Sequence, residues 1–355
     1  MAVHDRKSLA EATVPITGRR LSLPDGPIFS LHRASDSVYE LGEFRAWAGY
    51  KDLGSDAATG GLAHVQHVVS FAGTDAAGRT GIHAHFAHAH IVIPTSGRGV
   101  FSYDGLITEA VPGVVIAQHG GTIHDQFSYS YAADCETPLS VEPAPDAAAQ
   151  SFGFLELFVP RSFANVEIVP PEAVSEADQR TAWDHPYHAA GADFFVQDAA
   201  DPDAGYRPVA GRAHLEARDA GTWAPTGGLV ATWIIRPASS STGAELPIDQ
   251  AGEAGGIDIL FMAKGSASFA RGDGETVRLG AGDTLTCSQG LVGDPIDGSP
   301  DMRLVKFFIA ARAQQLRERT ADEIAELEAL GPAIITRREV RPAGDMRPVN
   351  FLRRR

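Results

Sequence analysis

The sequence contains little cysteine. Among 355 residues there are only Cys135 and Cys287, which lie far apart along the chain. Two cysteines cannot form the disulfide framework of a small secreted domain. The first residues, MAVHDRKSLAEATVPITG, contain no apolar run of the kind found in signal peptides. We therefore expect a protein of the reducing cytoplasm.

Long hydrophobic runs and excess positive charge are also missing. No stretch approaches the roughly 18 apolar residues that a membrane-spanning helix needs. The formal net charge is −15, whereas nucleic acids and anionic membranes attract basic surfaces. The sequence therefore predicts binding to neither nucleic acid nor membrane. Its 44% hydrophobic content is sufficient for folded cores.

Glycine and proline are abundant, at 37 and 22 residues. They punctuate short alternating apolar runs, such as residues 62–71, 99–105, 228–237 and 267–279. This pattern predicts an all-β fold of antiparallel strands with a few short helices. Helical periodicity is clear only in residues 311–330, before Gly331-Pro332.

The chain repeats itself at a nearly constant offset. Thr59-Gly60-Gly61-Leu62 recurs as Thr226-Gly227-Gly228-Leu229, an offset of 167 residues. Gly97 and Phe101 match Gly265 and Phe269 at 168, and Gly113 and Gly121 match Gly282 and Gly290 at 169. Three ordered matches indicate two copies of one domain.

The repeat defines a domain organisation. We predict an N-terminal domain over 1–160 and a C-terminal domain over 221–312. Between them, residues 161–220 are predicted as an irregular connection with a short helix near 171–183. Residues 313–355 are predicted to form a C-terminal helix and a basic tail that packs on the barrels or on a partner subunit.

The most informative segment is rich in histidine and runs from Gly78 to Gly97. His83 and His85 are two residues apart, so in a strand both face the same side. His90 follows, and His124 comes after a strand and a Gly-Gly turn. Such a turn can bring a fourth imidazole back beside the first three.

These residues resemble the two motifs of the cupin family. His83-x-His85, His90 and Gly97 follow the spacing of the first motif, and Gly113, Gly121 and His124 that of the second. The resemblance implies two tandem jelly-roll (double-stranded β-helix) barrels, a bicupin. It also implies that His83, His85, His90 and His124 hold one divalent transition metal per chain.

The match has departures from the family pattern. His90 stands where the family has glutamate, His119 where it has proline, and Ser128 where it has asparagine. His88 is an alternative third ligand, and His119 is either a neighbour of the metal or a turn residue.

Other histidines lie outside the motifs. His64 and His67 point to opposite faces of one strand, so one of them faces the pocket. His185, His188 and His214 are predicted to lie at the surface.

The second copy lacks the same residues. By the offsets, the four histidines correspond to Ala251, Glu253, Asp258 and Gly293. Two carboxylates alone do not make a transition-metal site. We therefore expect a metal-free C-terminal barrel with a structural role, in which Glu253 and Asp258 are relics or solvated groups.

The predicted donor set favours redox chemistry. Imidazole suits Fe, Ni, Cu and Zn, and neutral ligands leave the metal charge uncompensated, which favours an anionic or chelating small-molecule substrate. In outline the chain resembles gentisate, salicylate and quercetin dioxygenases. The resemblance implies a non-haem dioxygenase that cleaves a small aromatic or dicarbonyl compound, with Fe(II) favoured and Mn, Ni, Cu or Zn as alternatives.

Several features stay open in the sequence. Phe101, Tyr103 and Phe127 are candidates for stacking on a planar substrate. No catalytic acid or base is identified, and a homo-oligomer, dimer or tetramer, is expected. The alternatives are a redox-neutral cupin enzyme (isomerase, decarboxylase or hydrolase) and a non-enzymatic binding protein.

Overall fold

The computed structural model of the chain describes residues 24–41, 48–71, 80–85, 87–103, 105–118, 122–130, 150–161, 165–169, 173–175, 177, 181–183, 194–197, 204–239, 244–248, 255–315 and 337–340. Strands dominate these residues. The described helices with defined bounds are short: α1 (Ser55–Thr59) and a 3-10 helix (Ala311–Gln315). No helix among the described residues is long and apolar enough to cross a membrane.

The N-terminal barrel is one curled sheet of antiparallel strands. Its strands within the first copy are β2 (Glu40–Leu41), β3 (Ala48–Asp52), β4 (His64–Phe71), β5 (Ile82–His85), β6 (Ala89–Tyr103), β7 (Leu106–Ala110), β8 (Val115–Gln118), β9 (Ile123–Ser130) and β10 (Gln150–Val159). β6 is the central strand, because it pairs with β7, β8, β9 and β10.

The C-terminal barrel repeats this design. Its strands are β15 (Arg212–Asp219), β16 (Val230–Pro237), β17 (Ile257–Lys264), β18 (Ser266–Arg271), β19 (Thr276–Gly280), β20 (Thr284–Ser288), β21 (Val292–Gly298) and β22 (Arg303–Ile309). β18, β19 and β21 form a three-stranded sheet, and the other five join two further strands, Phe29–His32 and Arg207–Val209, in a seven-stranded sheet. The predicted all-β, double jelly-roll fold is confirmed.

Successive side chains of a strand point to opposite faces of its sheet, and the buried apolar residues accordingly form three separate cores. On β10, Phe152 and Phe154 belong to the cluster that fills the N-terminal barrel, whereas Leu155 and Leu157 belong to another. That other cluster also contains Ile234 and residues of β17 and β22, so it joins the outer faces of the two barrels. A third cluster fills the C-terminal barrel. The metal-motif residues therefore lie on the inward face of the first barrel.

The repeat detected in the sequence is present in the backbone. The hydroxyls of Thr59 and Thr226 each donate to a carbonyl four residues earlier, at 2.8 Å, and accept from an N–H four residues later, at 3.0 Å. Gly60 and Gly227, which follow them, both have φ of 59°, a conformation that favours glycine. The two copies therefore share local geometry.

Each barrel is extended by strands from outside its own repeat. β1 (Phe29–His32), at the start of the chain, pairs with β20 of the C-terminal barrel. From the connection, β11 (Asn165–Val169) pairs with β5, and β13 (Phe194–Gln197) pairs with β8. Each barrel thus contains at least one strand from outside its own repeat.

The connection differs from the irregular segment that the sequence predicts. Residues 161–220 contain β11, β13, β14 (Arg207–Val209), β15 and β12 (Thr181–Trp183). The helix expected near 171–183 is wrong at its end, because β12 is a strand that pairs with β23 (Arg337–Val340). This pairing is tertiary and leaves no local signal in the sequence. Of the expected C-terminal helix, residues 311–315 form a 3-10 helix, and 316–330 lie outside the described residues.

Candidate metal centre

His83 and His124 face each other across two paired strands. β5 and β9 are antiparallel with His83 directly opposite His124, and the two ring centroids lie 4.3 Å apart. The Nδ1 atom of His83 lies 2.7 Å from the Gly81 carbonyl oxygen, and that of His124 lies 2.9 Å from the Thr122 carbonyl oxygen. A carbonyl can only accept, so both Nδ1 atoms carry the proton. In this tautomer the ring lone pair lies on Nε2, which is how proteins orient metal-binding histidines.

His85 completes a cluster of three imidazoles. Its ring centroid lies 4.8 Å from those of His83 and His124. One potential ligand atom from each of the three residues lies within 4.8 Å of the others. The structure therefore brings together three of the four histidines that the sequence selects.

His90 lies at the side of this cluster. Its ring centroid is 5.1 Å from that of His85 and 6.2 Å from that of His124. Its potential ligand atoms group with those of His85 and Glu156, within 4.8 Å of one another. His85 is thus common to both groups, and the complete four-histidine ligand set stays a prediction.

The sequence analysis missed Glu156, which lies on β10 outside both motifs. Its Oε1 atom is 2.8 Å from Nε2 of His90, and its Oε2 atom accepts a hydrogen bond of 2.7 Å from Nε2 of Gln66. His64 lies on the same face, with Nε2 3.1 Å from Oε1 of Gln66. The available signal was a single acidic residue within the apolar run SFGFLELFV, residues 151–159.

Burial controls the charge of this group. It raises the pKa of Glu156, although the nearby His85 and the Gln66 hydrogen bond oppose the shift. Burial also lowers the pKa of His90 to about 3. His90 is therefore neutral near pH 7, which is the form that binds a metal ion.

Aromatic rings hold the imidazoles in place. Phe158 stacks on His90 with centroids 4.2 Å apart, and Tyr103 stacks on His124 at 5.6 Å. Phe101 stacks on Tyr103 at 5.7 Å. Phe101 and Tyr103 thus lie inside the barrel, as a stacking role requires, whereas the side chain of Phe127 lies outside the described residues.

Register decides between His64 and His67. His64 shares the inward face of β4 with Gln66, whereas His67 points outward. There His67 Nδ1 lies 2.7 Å from the Tyr39 hydroxyl oxygen, and its Nε2 lies 2.8 Å from Thr95 Oγ1. The pocket-facing residue is therefore His64.

The remaining histidines of the sequence prediction are not placed in either group of potential metal ligands among the described residues. His88 is half-buried and is absent from both metal-competent groups of described residues. His214 is exposed, as predicted. His119, His185 and His188 lie outside the described residues.

Gln118 supplies unsatisfied polar atoms beside the cluster. It lies directly opposite His90 in the β6–β8 register and is 2% exposed. Within the described structure, neither its amide oxygen nor its amide nitrogen has a hydrogen-bond partner. Buried polar atoms are almost always paired, so this amide is a candidate to bind a polar group inside the barrel.

The C-terminal barrel differs at the corresponding positions. Asp258, which corresponds to His90, is 4% exposed and lies 3.3 Å from the Lys306 ammonium. The expectation that it is a solvated group is wrong, because it lies on the buried face of β17 opposite Cys287 and Phe308. Gly293 has no donor side chain, and Ala251 and Glu253 lie outside the described residues.

The donor chemistry fits a divalent transition metal. Several imidazoles and one carboxylate come together in two overlapping groups, and two of the imidazoles carry their lone pair on Nε2. Such nitrogen-rich sets suit Fe, Co, Ni, Cu and Zn. Mg and Ca prefer oxygen ligands throughout.

No protein-family model matches the chain, and no curated protein matches it. Several solved structures are similar in fold. They include the 7S globulin of Momordica charantia (14% identity, 79% of this chain and 84% of that one, TM-score 0.45) and an 11S allergen of Cocos nucifera (9%, 81% and 90%, 0.49). A protein of Geobacillus kaustophilus is another (14%, 80% and 95%, 0.45). Similarity at this level carries no information on activity. The chain's own strand order is that of two tandem jelly-roll barrels, the architecture that the cupin resemblance implies.

Proposed function

We propose that the N-terminal barrel holds one divalent transition metal and that the protein is a metal-dependent dioxygenase. Its substrate is a small aromatic or dicarbonyl compound. The observation that carries the proposal is the convergence of His83, His85 and His124, whose potential ligand atoms lie within 4.8 Å of one another. An iron(II) ion bound there would supply redox activation of O2.

The charge of the cluster favours an anionic substrate. Imidazole ligands are neutral, and Glu156 contributes at most one negative charge. At least one positive charge of a divalent ion is then left uncompensated in a buried site, where electrostatic interactions are strong. A phenolate or enolate oxygen meets this requirement, and ionised phenols and enols are the forms that are oxidised most easily.

The barrel wall suits a planar molecule with polar substituents. Tyr103 and Phe101 provide stacked aromatic surface next to His124. The Gln118 amide offers one donor and one acceptor opposite His90. In this proposal the aromatic rings position the substrate and exclude water, and Gln118 binds a hydroxyl or carbonyl group.

Two alternative functions can be distinguished from a dioxygenase by experiment. A redox-neutral cupin enzyme would use the same histidines to hold Zn, Mn or Ni as a Lewis acid. A non-enzymatic bicupin would bind a small molecule through the same barrel, because this fold serves many functions.

The experiment is metal reconstitution with substrate screening. Metal-free protein is loaded anaerobically with Fe(II), Mn(II), Ni(II), Cu(II) or Zn(II). Catechols, gentisate, salicylates, flavonols and diketones are then added in an oxygen electrode. The proposal expects O2 uptake with stoichiometric loss of one substrate class. Turnover with Zn(II) and no O2 uptake would assign the redox-neutral class. A lack of turnover with every metal and substrate would contradict the enzyme proposal.

A further inference from the structure

Glu156 is the one carboxylate that the described structure places in a metal-competent group, and neither sequence motif contains it. At position 90, where the first motif has glutamate, this chain has histidine. The described structure places the carboxylate of Glu156 beside this histidine. Glu156 comes from β10, which pairs with β6 so that Phe158 lies opposite His90 and Glu156 opposite Val92.

The orientation of Glu156 is fixed from two sides. Gln66 Nε2 donates to one carboxylate oxygen at 2.7 Å, and His90 Nε2 lies 2.8 Å from the other. Gln66 is itself oriented by His64, since its amide oxygen lies 3.1 Å from His64 Nε2. A carboxylate that is held in this way has lost its rotational freedom before any ligand binds, which lowers the entropic cost of coordination.

The carboxylate of Glu156 lies close to two of the predicted metal ligands. Atoms of His85, His90 and Glu156 lie within 4.8 Å of one another, and His85 also belongs to the group with His83 and His124. The separation of 2.8 Å between His90 Nε2 and Glu156 Oε1 is a hydrogen-bond distance. Buried carboxylates are expected to be paired or to coordinate a metal.

We infer that Glu156 is a carboxylate ligand of the metal, positioned by Gln66. This inference rests on the proposed metal site. It changes the predicted donor set from imidazole alone to imidazole with one carboxylate from a strand outside both motifs. The charge of the bound ion is then partly neutralised, so the site accepts a singly charged substrate oxygen rather than a dianion.

The test is Co(II) binding to the full-length, metal-free protein. Co(II) reports its ligands through ligand-field absorption, independently of activity. The variants are Glu156→Gln, which keeps the shape and removes the charge, and Gln66→Met, which removes the donor to Glu156 together with the contact to His64. The matched control is Glu109→Gln, because Glu109 is exposed on β7 and pairs with Arg98.

If Glu156 is a direct metal ligand, we expect three results. Glu156→Gln lowers Co(II) affinity by more than about 10–100-fold, the range for residues that only orient ligands, and it shifts the absorption bands. Gln66→Met lowers affinity less and leaves the band positions near those of the wild type. Glu109→Gln changes neither property.

Other outcomes overturn the inference in distinguishable ways. Unchanged affinity and spectrum in Glu156→Gln would remove Glu156 from the site while the histidine centre stands. Lower affinity with an unchanged spectrum would make Glu156 a partner of His90 and not a ligand. No Co(II) uptake by the wild type would refute the metal site itself. If Glu156→Gln does not fold, as judged by its melting curve, Glu156→Asp replaces it. Glu156→Asp must then also lower the Co(II) affinity and shift the absorption bands. Affinity and bands equal to those of the wild type would overturn the inference.

Discussion

Lys306 occupies in the C-terminal barrel the position that Glu156 occupies in the N-terminal barrel. Glu156 pairs with the residue two positions after His90, and Lys306 pairs with the residue two positions after Asp258. Both pairs interact across their strands, at 2.8 Å for His90 and Glu156 and at 3.3 Å for Asp258 and Lys306. The second barrel therefore carries its own cation at the place where the first is proposed to bind a metal.

The ion pair between Asp258 and Lys306 gives a stability prediction. Both side chains are largely buried, at 6% and 11% exposure. Lys306→Met leaves the Asp258 carboxylate without its cation, so we expect a loss of about 3 kcal/mol in the free energy of unfolding. The double variant Asp258→Asn/Lys306→Met should recover most of this loss. Urea denaturation of the four proteins in the cycle measures the coupling, and additive effects would contradict a direct interaction.

Metal occupancy should depend on His124 and not on His214. His124→Ala removes a proposed ligand whose ring centroid lies 4.3 Å from that of His83, so we expect metal content to fall from near one equivalent per chain to a small fraction. His214→Ala changes an exposed imidazole and should leave the metal content unchanged. Elemental analysis after gel filtration gives the comparison. Full occupancy in His124→Ala would refute the ligand assignment.

We expect the buried amide of Gln118 to destabilise the folded protein and to contribute to substrate binding. Within the described structure its buried amide has no hydrogen-bond partner, and such a group costs about 1–3 kcal/mol. We therefore expect Gln118→Met to raise the free energy of unfolding by about 1 kcal/mol and to raise the KM for any substrate found. Thermal denaturation and steady-state kinetics are the measurements. A destabilised Gln118→Met protein would show that the amide is already satisfied in solution.

His67 should make the protein sensitive to acid. Burial, with a smaller effect of Lys51, lowers the pKa of His67 to about 3 in the folded protein, whereas an unfolded chain has a value near 6.5. Between these values the unfolded state binds the additional proton. Stability is therefore complete above about pH 6.5 and is lost as the pH falls toward 3, by about 1.4 kcal/mol per pH unit.

The variant that tests this is His67→Gln, which keeps polar atoms near Tyr39 and Thr95. We expect its unfolding free energy to fall by about 2–3 kcal/mol less than that of the wild type between pH 6.5 and 4.5. Urea denaturation at the two pH values provides the difference. Equal losses in both proteins would mean that His67 is not the group responsible.

The sequence predicts the part of the site that is local. His83 and His85 share a face because strand side chains alternate, and the motif spacing selects His124, which lies directly opposite His83. Glu156 could not be found this way, since it lies 66 residues from His90 and only the β6–β10 register brings them together. The choice between His64 and His67 has the same origin, because a shift of one residue in register exchanges the two faces of a strand.

The fold, like the site, is predictable from the sequence only where the signal is local. Turn glycines and alternating runs predict two all-β copies, and the shared hydrogen bonds of Thr59 and Thr226 confirm the repeat. The strand partners of residues 165–169 and 181–183 come from distant parts of the chain. Their β structure is imposed by tertiary pairing and was not visible as a local pattern.

The pairing of β1 makes the C-terminal barrel dependent on the N-terminal part of the chain. Phe29–His32 forms the edge of the C-terminal sheet, and Arg33 Nη1 continues the contact at 2.7 Å from Asp283. A fragment of residues 204–355 would expose the backbone groups of β20, and exposed edges of this kind recruit other strands. Separately expressed halves are therefore expected to reassociate on mixing, as in split-protein complementation, and the C-terminal repeat lacks the autonomy of the single-domain ancestor that the duplication implies.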